Sequence, residues 1–233
     1  MLLTESHRGG SNPSLTAKCY NKMFNTYASP ISNVKDITPF APLVVKAIYR
    51  NFNWPVIKNF CENLTKEVDP KMDTHWATGD TSNETTMPHL NAIFKKYYDW
   101  MNPIAMDVIT KQFGYDKNMN YVIYNSWINL HIPGGSTPIH HHGPSVLSVA
   151  TYLYMPENGG YIEFKDPLEY HKTPFPTTID DEISNWKSIP TKTGDVIMFP
   201  GWLRHRTQTN KSKEKRWVLT TNYICTNIPK NRN

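Results

Sequence analysis

NYVIYNSWINLHIPGGSTPIHHHGPSVLSVATYLYM, residues 120–155, is the stretch that decides the fold. Its first part, NYVIYNSWINLHI, alternates aromatic and β-branched residues, the pattern of a half-buried strand. Pro133-Gly134-Gly135 breaks it as a turn. SVLSVATYLYM then runs apolar for long enough to be a buried strand. Between the two lie three consecutive histidines, His140, His141 and His142. Working outward, the chain repeats strand and turn. Residues 156–160 turn into YIEFKD, Thr193-Gly194-Asp195 leads into VIMFPGWL, and the basic run KSKEK precedes RWVLTTNYIC. Upstream the period changes. Trp54-Pro55 opens a stretch with Val56, Phe60 and Leu64 at helical spacing, Pro near the first turn. Leu90, Phe94, Tyr97, Met101, Ile104 and Val108 predict one long helix over 88–113, kinked at Pro103. The layout is mainly β with N-terminal helices, roughly eight strands forming a sandwich or barrel with the helices packed on one sheet.

Composition bounds the rest. The chain has 233 residues, 39% hydrophobic and 19% charged, which excludes a disordered tail or a heptad coiled coil. A net charge of +5 permits an anionic ligand or nucleic acid without arguing for either. Three scattered cysteines, Cys19, Cys61 and Cys225, form neither a disulfide framework nor a zinc pattern. MLLTESHRGG holds too few apolar residues for a signal peptide, and no run reaches the ~18 apolar residues of a membrane span. The expected setting is the cytoplasm, with no membrane partner. Residues 1–38 read as a loosely structured lead-in, and 39–233 as a single domain whose metal-binding core spans 120–225. Residues 167–190, with four prolines, read as a long substrate loop or lid that carries His171 and Trp186.

The histidines carry the chemistry. On extended backbone, residues i and i+2 face one side, so His140 and His142 point together. His205 follows the distant strand VIMFPGWL and can complete a facial set of three on a metal, leaving positions open for substrate and O2. Arg216 stands 11 residues further on, where its guanidinium could pair with a carboxylate. The competing explanation of a His triplet is a solvated loop.

These pieces resemble the 2-oxoglutarate- and Fe(II)-dependent oxygenases, whose motif is H-x-D, a long interval, a distal His and then Arg or Lys about ten residues on. The nearest resemblance is to the bacterial and phage group of 2OG-Fe(II) oxygenases. It rests on Trp127-Ile128-Asn129, Gly134-Gly135, His140 to His142, Ser145, Ser148, Tyr152-Leu153 and Gly159-Gly160. It continues with Phe164-Lys165-Asp166-Pro167 and Phe199-Pro200-Gly201-Trp202-Leu203-Arg204-His205. The resemblance covers residues 120–225 and implies a double-stranded β-helix, a jelly-roll or cupin-like barrel. It implies Fe(II) and 2-oxoglutarate, with O2 as co-substrate and hydroxylation of an unidentified substrate yielding succinate and CO2. It puts His140, His142 and His205 on iron. It puts Arg216 on the distal carboxylate of 2-oxoglutarate, with Tyr152, Ser148 and Asn129 as further cofactor contacts. A phage-encoded member would act in the host cytoplasm, and a homodimer is compatible with it.

One departure matters. Where the motif has a carboxylate, this chain has His142. Either His142 is the ligand, or water replaces it, or Asp166 or Glu163 fills in. The first is the expectation, since Asp166 before Pro167 reads as a turn cap. The primary substrate is open, a small molecule or protein side chain ahead of nucleic acid. Two other classes compete. A cupin-type metal enzyme without 2-oxoglutarate fits Gly134 to His142, but Val146 and Leu147 stand where its Glu is expected. A non-catalytic β-barrel binding module leaves the three histidines unexplained. His131 reads as structural or superficial, and Lys211, Lys213 and Lys215 as a solvated hairpin tip.

Overall fold

The computed structural model describes residues 24–27, 43–64, 75–77, 87–168 and 185–227. Among the described residues, ten strands form two sheets. In chain order they are β1 (Phe24–Tyr27), β2 (Val44–Ile48), β3 (His75–Ala77), β4 (Tyr121–His131), β5 (Leu147–Tyr154), β6 (Ile162–Lys165), β7 (Trp186–Ile189), β8 (Asp195–Phe199), β9 (His205–Thr207) and β10 (Arg216–Cys225). The larger sheet has the order β1-β2-β8-β5-β10-β4-β3 and the smaller β7-β6-β9. All pairings are antiparallel except β1 with β2.

The larger sheet is apolar on both faces, which is why its central strands lack a clean polar alternation. One face carries Val44, Ala150, Tyr152, Ile197, Phe199 and Val218, which pack on Ile162, Phe164 and Ile189 of the smaller sheet. The other face carries Val45, Val149, Val196, Met198, Trp217 and Leu219 and packs on the helices. Two stacked sheets with helices on the outside of one make a double-stranded β-helix, the architecture expected from the sequence. Residues of even number on β10, from Arg216 to Asn222, therefore face the barrel interior.

The helical part differs in detail from the sequence reading. Helix α1 (Trp54–Leu64) buries Ile57 and Cys61, whereas Val56 is 43% exposed. The buried stripe is thus rotated by one position, with Phe60 at its flank edge-on to Phe94 and Trp54 stacked on Tyr154. The single helix expected over 88–113 is broken. Two 3-10 turns, Pro88–Leu90 and Ala92–Phe94, precede helix α2 (Lys95–Asp107). Asn91 makes the break, because its side chain accepts the Ile93 N–H and so competes with helical bonding. Pro103 sits inside α2, and a π-helical turn, Val108–Gln112, ends it. Tyr97, Tyr98, Met101 and Ala105 are the buried face of α2.

One further expectation is corrected. Residues 186–189 of the expected long loop form strand β7, and Trp186 lies on it under the Arg206 guanidinium, 3.9 Å from the ring centroid. His171 and residues 169–184 lie outside the described residues, as does most of the 1–38 lead-in, although 24–27 form β1. Strand β2 had no signature in the sequence reading. Among the described residues, no helix is long and apolar enough to cross a membrane.

Candidate metal centre

His140 and His205 meet across an isolated antiparallel bridge. The His140 N–H donates to the His205 carbonyl at 2.9 Å and the His205 N–H to the His140 carbonyl at 3.0 Å. The His142 N–H donates to the Gly201 carbonyl at 2.8 Å. The histidines thus come from a short bridged segment rather than a regular strand, but the i and i+2 side chains still converge. Gly201 makes this possible. A Cβ there would stand 2.2 Å from the Ser145 carbonyl oxygen, so only glycine lets the turn after β8 close on residues 142–145.

One ligand nitrogen from each of His140, His142 and His205 lies within 4.8 Å of the others. His140 Nδ1 is 2.8 Å from the Pro138 carbonyl and His205 Nδ1 is 2.9 Å from the Leu203 carbonyl. A carbonyl only accepts, so both Nδ1 atoms carry hydrogen, and in the neutral ring the lone pair is then on Nε2. His205 is buried against Phe199, with ring centroids 4.7 Å apart, and burial together with His140 and His142 holds its pKa well below the ordinary value. Burial, then His140 and His141, pulls His142 down to about 3. Both imidazoles are neutral at pH 7, as metal ligands must be. The His142 and His205 Nε2 atoms are 3.2 Å apart. Two ligands at ~2.0–2.1 Å from one ion are separated by about 2.9–3.4 Å, so this pair has the spacing of a metal site. The donor set fits a divalent transition ion.

Among the described residues no carboxylate joins them. Glu163 is engaged on β6 with Arg206 Nε (2.7 Å), Gln208 and Ser188. Asp166 Oδ1 accepts the Leu168 N–H at 2.8 Å and so caps its own turn. Both expected substitutes for the missing carboxylate thus have other work.

Arg216 is fully buried at the start of β10. Its Nε donates to His131 Nδ1 at 3.3 Å, and Nη1 donates to the carbonyls of Gly159, Gly160 (2.9 Å) and Gln208 (3.2 Å). Nη2 donates to Thr207 Oγ1 at 2.9 Å. A guanidinium has five N–H donors, so these bonds leave one Nη2 hydrogen over. The bidentate fork expected from the sequence is therefore largely taken by the protein's own acceptors. Burial pulls the Arg216 pKa down to about 10, with Tyr152 opposing, so the cation persists at neutral pH. Among the described residues no carboxylate faces it. The dipoles of these acceptors meet its buried charge, and a buried cation of this kind favours an anion beside it. Thr207 follows His205 by two residues on β9, about 6.6 Å along a strand, so the cation lies deeper in the barrel than the histidines.

The other sequence candidates are also interior. Tyr152 is buried on β5 close enough to Arg216 to interact electrostatically, and burial pushes its hydroxyl up to about 12 against the lowering effect of Arg216. Ser148 donates to Asn222 Oδ1 at 2.8 Å. Asn129 donates to Thr220 Oγ1 at 2.8 Å and accepts from Trp127 Nε1 at 3.1 Å, so its amide ties β4 to β10. Three residues were missed. His131 is buried, receives Arg216 Nε, and has Nε2 2.6 Å from Thr137 Oγ1. Thr207 holds Nη2. Asn222 Nδ2 lies 3.3 Å from His142 Nδ1. Parity along RWVLTTN would have put Asn222 on the Arg216 face; nothing local distinguishes His131.

Comparison with known proteins accords with this geometry. Residues 125–222 match the family model described as "Putative 2OG-Fe(II) oxygenase". No curated protein sequence matches significantly. Solved structures share the fold. HygX from Streptomyces hygroscopicus, solved with nickel, 2-oxoglutarate and hygromycin B bound, is 12% identical with a TM-score of 0.54, covering 79% of this chain and 83% of its own. The α-ketoglutarate-dependent carbocyclase SnoK from nogalamycin biosynthesis is 13% identical with a TM-score of 0.51, covering 78% and 79%. A 2OG-Fe(II) oxygenase-family oxidoreductase from Burkholderia pseudomallei is 14% identical with a TM-score of 0.50, covering 78% and 84%. The resemblance and the fold read from the sequence are both borne out.

Proposed function

We propose that this chain, with the 2OG-Fe(II) oxygenase family's match across its barrel strands, is an Fe(II)- and 2-oxoglutarate-dependent dioxygenase that hydroxylates an organic substrate. The observation that carries the reading is the buried Arg216 cation, with no acidic partner among the described residues, set below three convergent imidazoles. That pair of features suits a dicarboxylate that reaches from a metal to a cation. His140, His142 and His205 are the ligands. Bound iron would supply the redox chemistry that couples decarboxylation of 2-oxoglutarate to oxidation of a C–H bond. Arg216, with its remaining Nη2 hydrogen, and the Tyr152 hydroxyl bind the distal carboxylate. Ser148 and Asn129 border that pocket from β5 and β4. Phe164, Phe199 and Val218 make this part of the interior apolar. Residues 39–233 act as one catalytic unit in the cytoplasm.

HygX is described with 2-oxoglutarate bound, which supports the cofactor. SnoK is described as a carbocyclase and SnoN as an epimerase. The same opening half-reaction can therefore end in ring closure or inversion, and hydroxylation is the simplest outcome. The substrate is a small molecule or a protein side chain. The reading is tested by following 2-oxoglutarate and succinate by proton NMR with Fe(II), ascorbate and air. Succinate is expected from the wild type, even slowly and without substrate, and not from His205→Ala. Equal succinate from both would overturn the assignment of His205.

A further inference from the structure

His131 and Arg216 stand opposite each other in the β4–β10 register, with Cβ atoms about 4.5–5.5 Å apart. An arginine only donates, so the 3.3 Å contact from Arg216 Nε needs a lone pair on His131 Nδ1. The ring hydrogen is then on Nε2, and it goes to Thr137 Oγ1 at 2.6 Å. The Thr137 N–H donates to Thr207 Oγ1 at 2.8 Å, and the same oxygen accepts Arg216 Nη2 at 2.9 Å. Arg216, His131, Thr137 and Thr207 thus close a ring of hydrogen bonds. Asn210 Nδ2 fixes the end of β4 by donating to the His131 carbonyl at 2.9 Å. Thr137 lies just before His140 in the chain, and Thr207 just after His205. The Thr207 N–H donates to the Thr137 carbonyl at 3.0 Å, which joins these two segments. The ring therefore ties the cation to both segments that carry the histidines, and it fixes the span a ligand must cover between them.

We propose that His131 is a positioning residue that holds the Arg216 guanidinium at one depth and thereby selects the 2-oxo acid by its length. This rests on the assignment of Arg216 to the distal carboxylate above. Nη1 is taken by the Gly159, Gly160 and Gln208 carbonyls, and Nε and one Nη2 hydrogen by the ring. The remaining Nη2 hydrogen therefore points in one direction. An arginine without such anchors is long and flexible and follows carboxylates at several distances. Here its rotamer freedom is lost on folding and not on binding. A dicarboxylate one carbon shorter or longer carries its distal oxygens out of hydrogen-bond range of a donor held in this way. Histidine suits the place because its neutral ring accepts on one side and donates on the other. An Asp or Glu there would fix Arg216 equally well but would compete with the ligand for the cation.

The test is calorimetric titration of full-length, zinc-loaded protein, Zn(II) being inert to oxygen. The probes are 2-oxoglutarate, oxaloacetate (one carbon shorter) and 2-oxoadipate (one carbon longer). The wild type should bind 2-oxoglutarate at least ~10-fold more tightly than either, one well-made hydrogen bond to a charged group being worth about that factor. His131→Leu removes both side-chain bonds. Its 2-oxoglutarate affinity should fall about tenfold and its preference over 2-oxoadipate to about threefold or less, with zinc affinity unchanged. His131→Asn, whose Oδ1 can accept the Arg216 Nε–H, should restore the preference. Thr137→Val keeps the shape and the backbone bond to Thr207 and removes only the acceptor of Nε2–H. It should lower the preference about threefold, and it decides the matter if His131→Leu does not fold. An unchanged length preference in whichever of these two variants folds would overturn the proposal, as would a wild type that binds all three acids alike. The cofactor site survives that result if Arg216→Met loses 2-oxoglutarate. A zinc-loaded wild type that binds none of the three acids would overturn the Arg216 assignment as well.

Discussion

Replacing Arg216 by Met keeps the aliphatic bulk and removes the buried cation. Two effects separate cleanly. Without ligand, the Gly159, Gly160 and Gln208 carbonyls lose their donor. Each buried acceptor left bare costs about 1–3 kcal/mol, offset in part because a buried charge is no longer desolvated. The absolute melting temperature therefore falls by an amount that says little about function. The ligand-induced shift says more. Leaving a buried charge without its partner costs about 3–5 kcal/mol, which is a ~10²–10³-fold or greater loss of affinity for 2-oxoglutarate. At a concentration 100 times the wild-type Kd, 2-oxoglutarate stabilises the wild type by about 2.7 kcal/mol, and the variant by no more than ~0.3 kcal/mol. For a chain of this size each kcal/mol moves Tm by about 2–4 °C. Thermal unfolding of zinc-loaded protein should thus show a shift of ~5–11 °C in the wild type and ~1 °C or less in Arg216→Met. Equal shifts would refute the assignment of Arg216 to the carboxylate.

Tyr152→Phe removes one hydroxyl from the same pocket, and a loss near 1 kcal/mol predicts about fivefold weaker 2-oxoglutarate binding by calorimetry, with zinc affinity unchanged. Gly201→Ala drives a Cβ to 2.2 Å from the Ser145 oxygen and pushes away the carbonyl that holds the His142 N–H. Overpacking of this kind costs about 1–3 kcal/mol or more, so Tm should drop by at least ~2–12 °C, and zinc affinity should drop with it. An unchanged Tm would mean the turn is not closed. The pH dependence follows from His142 and His205, whose folded pKa values lie below the unfolded value near 6.5. The unfolded state takes up protons first as pH falls, so the metal-free fold is at full strength above ~6.5 and weakens from there toward about 3. The slope is up to ~1.4 kcal/mol per pH unit for each histidine. Urea unfolding at pH 7.5, 6 and 4.5 should show this fall, and a flat profile would contradict the buried neutral pair.

The barrel was legible because its strands carry strong local signals. Alternation in 121–131, the apolar run at 147–154 and the turn residues between them left little freedom. The i, i+2 spacing of His140 and His142 survived even though the segment is a bridge and not a strand, because extended backbone alone imposes it. Longer-range features were not legible. The α1 stripe was misread by one position, since Val56 and Ile57 are equally apolar and only the packed partner chooses between them. Asn91 broke the helix through a side-chain hydrogen bond that periodicity does not see. Strand β7 was taken for loop because its four residues, Trp186–Ile189, alternate too briefly to show a period. Asn222 and His131 matter through contacts with His142 and Arg216, 80 and 85 residues away in sequence. No spacing rule reaches that far.

The central claim is that the three histidines and Arg216 together form a site for Fe(II) and 2-oxoglutarate. It is tested most directly by an anaerobic titration of the metal-free protein with Fe(II) and then 2-oxoglutarate, read in the visible spectrum. The account predicts that one equivalent of iron binds and that a charge-transfer band of the iron chelate grows in and saturates with one equivalent of 2-oxoglutarate. Iron bound without the band would contradict the 2-oxoglutarate site and favour a cupin-type centre. No iron bound would contradict the metal centre itself.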